Sequence, residues 1–236
     1  MKVDAWRDRL SQRLPFYYGW VIFAVSAGVS YSSRPIMAVA TLSVFLVPMT
    51  EEFGWSRGVF AGAVSLGGIC AVAVSPIVGW WIDRRGAGTI IALGGMMTGA
   101  CALGLSLVSN TWAFYALYVP GRMAFASPLE LGTSTAVSNW FIRRRALAFG
   151  ALSVTQGMGL ALMPLAAYLI ITGWSWRVAW VTLGIYTLVV GVLPAFMLLA
   201  RRPEDMGLVA DPGPESSADS SAPDKHRAGP NGPAEA

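Results

Sequence analysis

Arg34, Arg122 and Glu130 each stand inside a long apolar run of this 236-residue chain. On insertion scales each costs roughly 2.5–3.5 kcal/mol at the centre of a lipid-embedded helix. Residues that expensive face a protein interior or a wet cleft, which narrows what they can do. A guanidinium at that depth holds a small anion through charge-assisted hydrogen bonds. A carboxyl group there carries a proton or neutralises a neighbouring cation. Arg34 is followed by Pro35, and Pro128 stands two residues before Glu130; each proline removes a backbone donor and loosens its helix. Charge beside a broken helix near mid-depth is a common construction for a transport site. Arg122 and Glu130 are eight positions apart, about 12 Å by helix rise, too far to pair within one straight helix. Tyr31, the Ser32-Ser33 pair, Asn139 and Gln156 are polar candidates to line such a site. The bland reading stays open beside this one: an arginine can neutralise an acid on a neighbouring helix or snorkel to an interface.

The elements that must hold these residues follow from composition. The chain is 55% hydrophobic and 13% charged, with a mean hydropathy of +0.54, whereas a soluble domain is about a quarter charged. That deficit makes the bilayer the solvent. A formal charge of +4 could suggest nucleic acid, but the arginines fall in short clusters between apolar runs, which is a topology signal. Cys70 and Cys101 lie in apolar stretches and His226, the one histidine, lies in the tail. A disulfide framework, a Cys/His metal site and serine–histidine catalysis are therefore not expected, and no cofactor or enzymatic activity is implied.

A spanning helix needs roughly 20 mostly apolar residues. Six candidates meet that length, at about 18–47, 58–82, 89–108, 112–137, 146–171 and 178–199. They are too long and too continuous for barrel strands, so an all-α membrane protein is expected. Residues 1–15 form a basic N-terminal segment, 16–202 the bundle, and 203–236 a Pro-, Ser-, Ala- and Asp-rich tail that cannot bury a core. Arginines at 84–85, 143–145 and 201–202, with Lys2, Arg7, Arg9 and Arg13, mark one side; Arg57 and Arg177 mark the other. Both termini are thus expected in the cytoplasm. The first run is read as a retained helix, being too long for a signal peptide. Glycines at 62, 67 and 68, at 94, 95 and 99, and at 150, 157 and 159 suit close helix packing. Trp112, Trp140, Trp174 and Trp176 fall at span ends, as in an interfacial belt.

Between the second and third spans the chain reads GWWIDRRGAG. Two helices turning within a few residues favour glycine at 86 and 88, where φ is positive. The stretch resembles the cytoplasmic loop motif of the major facilitator superfamily, through Gly79, Asp83, Arg84 and Gly86; Ala87-Gly88 replaces the motif's closing basic pair. The resemblance implies that Asp83 latches a cytoplasmic gate by engaging a helix end of an opposite half. YYGWVIF at 17–23, NWFIRRRALAFG at 139–150, GWSWRVAW and RRPEDMGL are similar to the monocarboxylate-porter and oxalate/formate-antiporter branch. That branch carries a first-helix cation near its substrate. Arg34 lies within a residue of it, with proline and cation in swapped order.

The resemblance covers about residues 16–210 and implies half of the family's fold: six helices as two inverted three-helix repeats, with the first and fourth equivalent. It further implies a secondary active transporter of small organic anions, in a bacterial-type plasma membrane, needing a second six-helix half or a self-dimer. Arg34, Arg122, Tyr31 and Gln156 are the expected substrate residues, Glu130 the expected proton carrier. A non-transporting regulatory half-protein, a truncated product and an efflux pump for other small molecules are the alternatives. Two cations against one acid within the spans argue against a cation pump.

Overall fold

The computed structural model describes residues 17–199. The basic segment before it, Arg201, Arg202 and the 203–236 tail lie outside the described residues. Every element is helical, with no strand among the described residues. The first passage is α1 (Gly19–Ser33) and α2 (Val39–Phe53), separated by a turn at 34–38. α3 (Arg57–Arg85) and α4 (Ala87–Leu105) are the second and third passages. The fourth runs from α5 (Thr111–Ala124) through a wide π turn (Phe125–Leu129) into α6 (Glu130–Trp140). α7 (Arg145–Gly173) is the fifth. The sixth joins α8 (Trp176–Tyr186) to α9 (Leu193–Leu198) through a second π turn (Thr187–Val192).

Four of these stretches, α3, α4, α7 and residues 176–198, are long and apolar enough to cross a membrane. The first passage is split by its turn, whereas the fourth, like the sixth, runs on through its π turn and carries Arg122 and Glu130 along it. Passages two and five are both 29-residue helices, and passages one, four and six each carry an irregular stretch. Large apolar side chains on α3 and α7, such as Ile69, Val72, Val154 and Tyr168, remain exposed, as a surface bathed in lipid or docked on another apolar body allows.

α4 is the buried staff of the bundle, and glycine makes that possible. A methyl added at Gly94 would meet Pro128 Cβ at 3.0 Å, and one at Gly95 would meet Val192 Cγ2 at 3.0 Å. One at Gly99 would press on Leu188 Cδ2 at 2.7 Å. Both π turns therefore rest on bare backbone of α4. Gly68, Gly150 and Gly157, by contrast, have nothing within 4 Å, so tight packing is not what they supply.

Aromatic clamps close each end. At the end bearing the 84–85 and 143–145 arginines, the Tyr17 hydroxyl donates to the Trp140 carbonyl and that of Tyr18 to Leu198, both at 2.9 Å. Rings of Tyr17 and Trp20 pack edge-on against Phe141. The two stretches that carried the resemblance at 17–23 and 139–150 thus touch. Trp140 is fully buried there and Trp176 nearly so, which corrects the belt assignment for both; Trp112 and Trp174 are exposed as a belt requires.

At the opposite end α2 stops at Gly54, with φ of 69°. Just before it, beyond the apolar run, Glu52 accepts hydrogen bonds from Arg177 at 2.7 and 3.0 Å and from the Trp176 indole at 2.6 Å. The Arg177 bond, and then the indole, hold this carboxyl below its ordinary value. The clamp ties the end of the first passage to the start of the sixth.

Candidate functional site

The break in the first passage has a local cause. Pro35 has no N–H to continue α1, and its ring crowds the preceding turn. The chain makes a turn, with Ala38 N–H bonding Pro35 carbonyl at 3.1 Å, and restarts from extended backbone at Ala38. Within this turn the Met37 carbonyl accepts the Tyr118 hydroxyl at 3.1 Å and Arg122 Nη1 at 2.8 Å. Tyr118 and Arg122 are four apart on α5, so one helix face aims both donors at one oxygen. Gly67 admits the arginine: a methyl there would meet Arg122 Cβ and Cγ at 2.9 Å.

The second cation is paired. Arg34 Nη1 stands 2.9 Å from Glu130 Oε2, their side chains 24% and 41% exposed. The N–H is not aligned on that oxygen as a hydrogen bond requires, and the buried Nε atoms of Arg34 and Arg122 have no hydrogen-bond partner among the described residues. Charge holds the contact, the Glu130 side of it opens to solvent, and guanidinium donors remain unspent.

The π turn explains how Arg122 and Glu130 both reach the first passage. In a regular helix, positions eight apart are about 80° off each other around the axis. A π turn takes up one residue more, so the pair behaves as if seven apart, within about 20°. Pro128 sits inside that turn and cannot donate to the carbonyl four residues back. Phe125 opens it, with its ring centroid 5.8 Å from Arg34 Cζ and 5.5 Å from Arg122 Cζ. Such contacts contribute roughly 0.5–2 kcal/mol each, more when dry.

Arg34, Arg122 and Glu130 are therefore brought together. Tyr31 lies at the edge of the same break, where α7 comes close enough that a methyl on Gly159 would meet Tyr31 O and Pro35 Cγ, both at 2.9 Å. Gln156 is one turn earlier on α7, half-buried. Phe125, Tyr118 and the Met37 carbonyl were not among the expected site residues. The i, i+4 spacing of Tyr118 and Arg122 and the placing of Phe125 one turn on were the available signals.

The loop motif sits elsewhere. Asp83 and Arg84 lie exposed in the last turn of α3, with Arg84 Cζ 4.1 Å from the Trp80 ring centroid. Gly86, with φ of 85°, joins α3 to α4 as a single residue, a conformation that glycine alone adopts cheaply. Gly88 departs from expectation. It is helical, and its reason is proximity: a methyl would meet Leu199 Cβ at 2.9 Å and O at 3.0 Å. Gly79 has open space before it. Among the described residues no group of three or more His, Cys, Asp or Glu could hold a metal.

Comparison with known proteins agrees with this architecture. The family model of the Major Facilitator Superfamily matches residues 35–226. The uncharacterized MFS-type transporter YcxA of Bacillus subtilis (strain 168) is 31% identical over 120 residues, covering 50% of this chain and 29% of that protein. Monocarboxylate transporter 14 of Homo sapiens is 28% identical over 199 residues, 80% of this chain and 38% of the relative. Monocarboxylate transporter 11 of Mus musculus is 28% identical over 174 residues, covering 72% and 38%. The chain thus spans well under half the length of these curated relatives.

Proposed function

This chain belongs to the Major Facilitator Superfamily, an integral membrane family, and from that membership we propose that its bundle is one half of a secondary active transporter for small monocarboxylate-like anions. The observation that carries the reading is the Arg34–Glu130 pair, 2.9 Å apart and partly open to solvent at a broken helix. Relatives named as monocarboxylate transporters support the substrate class.

An incoming carboxylate competes with Glu130 for the same guanidinium. Two carboxylates sharing one cation repel, and Glu130 takes up a proton as it is displaced. The substrate then sits on Arg34 through charge-assisted hydrogen bonds. Arg122 lies beside it, with Tyr31 and Gln156 at the margin. A second six-helix bundle, from another polypeptide or a copy of this one, completes the cleft, and the two rock about the bound anion. Asp83 latches the closed cytoplasmic side, together with Gly79, Arg84 and Gly86. The arginines at 84–85 and 143–145 favour that side as cytoplasmic, in a plasma membrane of bacterial type.

The test is uptake of radiolabelled lactate into proteoliposomes carrying a trapped pH dye. Wild-type protein should take up lactate and acidify the lumen together. Arg34→Ala should abolish both at equal expression, and unchanged uptake would remove Arg34 from the site.

A further inference from the structure

We propose that Phe125 sets specificity in this site, selecting monocarboxylates whose carboxylate is attached to an apolar group over polyhydroxylated acids. The inference rests on the proposed carboxylate site and adds the part that recognises the remainder of the substrate.

Three observations converge on this ring. Its centroid lies within 6 Å of both guanidinium carbons, 5.8 Å for Arg34 and 5.5 Å for Arg122. It is half-buried, packed on one side against the apolar cluster that contains Ile36 and Met37, so its position is fixed while part of it stays accessible. It also opens the π turn that carries Glu130 onto the face of Arg122, so ring and charges are set by one backbone feature.

A carboxylate gripped by Arg34 places its own α-carbon within van der Waals reach of that neighbourhood. The ring offers dispersion contact and a dry surface there. It offers no strong acceptor to a hydroxyl. A hydroxyl set against it loses water and gains no hydrogen bond from the ring. An alkyl or aryl group gains contact. Discrimination by one or two methylenes in such a setting is about tenfold or more.

The experiment is titration calorimetry on the purified protein with sodium acetate, butyrate and glycerate. Wild type should bind butyrate about tenfold more tightly than acetate, and glycerate more weakly than butyrate. Phe125→Ala should bring butyrate to the level of acetate while leaving acetate nearly unchanged; Phe125→Tyr should keep the wild-type order. If the alanine variant fails to fold, Phe125→Gln, close in length, should erase the butyrate preference in its place. A butyrate-to-acetate ratio unchanged in the folded alanine or glutamine variant overturns the role of Phe125 and leaves the carboxylate site standing. Wild-type protein that binds none of the three overturns the carboxylate site and this inference with it.

Discussion

Arg34 Nη1 and Glu130 Oε2 meet at 2.9 Å across two different passages of the bundle, each of which is irregular where its charge sits. The pair is only partly buried, so its contribution to stability is that of a half-exposed ion pair, about 1 kcal/mol or less. Glu130→Gln should leave the fold intact, retain lactate exchange and abolish the accompanying proton movement. Counterflow and lumen-pH measurements on the same vesicles check this; proton-coupled uptake surviving in the glutamine variant would exclude Glu130 as the carrier.

The Met37 carbonyl has two donors where one would suffice. Tyr118→Phe should cost about 1 kcal/mol, and Arg122→Met about 2 kcal/mol because its donor is charged. The double variant should lose more than the sum, since only then is the buried oxygen left with no partner. Thermal unfolding of the four proteins in one detergent measures the coupling; strict additivity would mean that the two bonds act independently.

Acidification should loosen the clamp at Glu52. Its carboxyl is held below the ordinary 4.5 in the fold, so its stabilising contribution is complete above that value. It is lost as pH falls through the lowered one. The Glu52 side chain is 39% exposed and that of Arg177 43%, so solvent screening keeps the effect within about 1 kcal/mol. Melting temperature of wild type should fall from pH 6 to pH 3 by more than that of Glu52→Gln. Parallel curves would show that the clamp contributes nothing measurable.

Two neighbouring glycines on α7 should part company. Gly157→Ala has open space and should be neutral or stabilising, by up to about 1 kcal/mol from helix propensity. Gly159→Ala drives a methyl toward the Tyr31 carbonyl at 2.9 Å and should cost about 1–3 kcal/mol as overpacking. It should also disturb substrate affinity, because the clash falls on the break that presents Arg34. Thermal unfolding and butyrate titration read the two effects separately.

Much of the bundle was legible because span length and arginine placement are read along one helix at a time. The loosening at Pro35 and Pro128 was legible too, where proline stood beside charge. Proline is a poor marker even beside charge: Pro120, two residues before Arg122, lies inside a helix that continues, as do Pro48, Pro76 and Pro164. The wide turn at Thr187–Val192 contains no proline and left no mark in the sequence. Pairings depend on rotation about helix axes, which no local pattern records. Hence Arg34 and Glu130 were each singled out, but not as partners. Trp140 looked interfacial by its position at a span end, whereas packing against Tyr17 and Tyr18 turns it into core.

Gly94 supports one π turn, and Gly95 and Gly99 support the other. The two irregular stretches accordingly share a single bearing. A bulky substitution on that face of α4 would be felt at both, and a one-residue insertion there would throw the fourth and sixth passages out of register together. The third passage, which carries none of the charges, thereby sets the alignment of a passage that does.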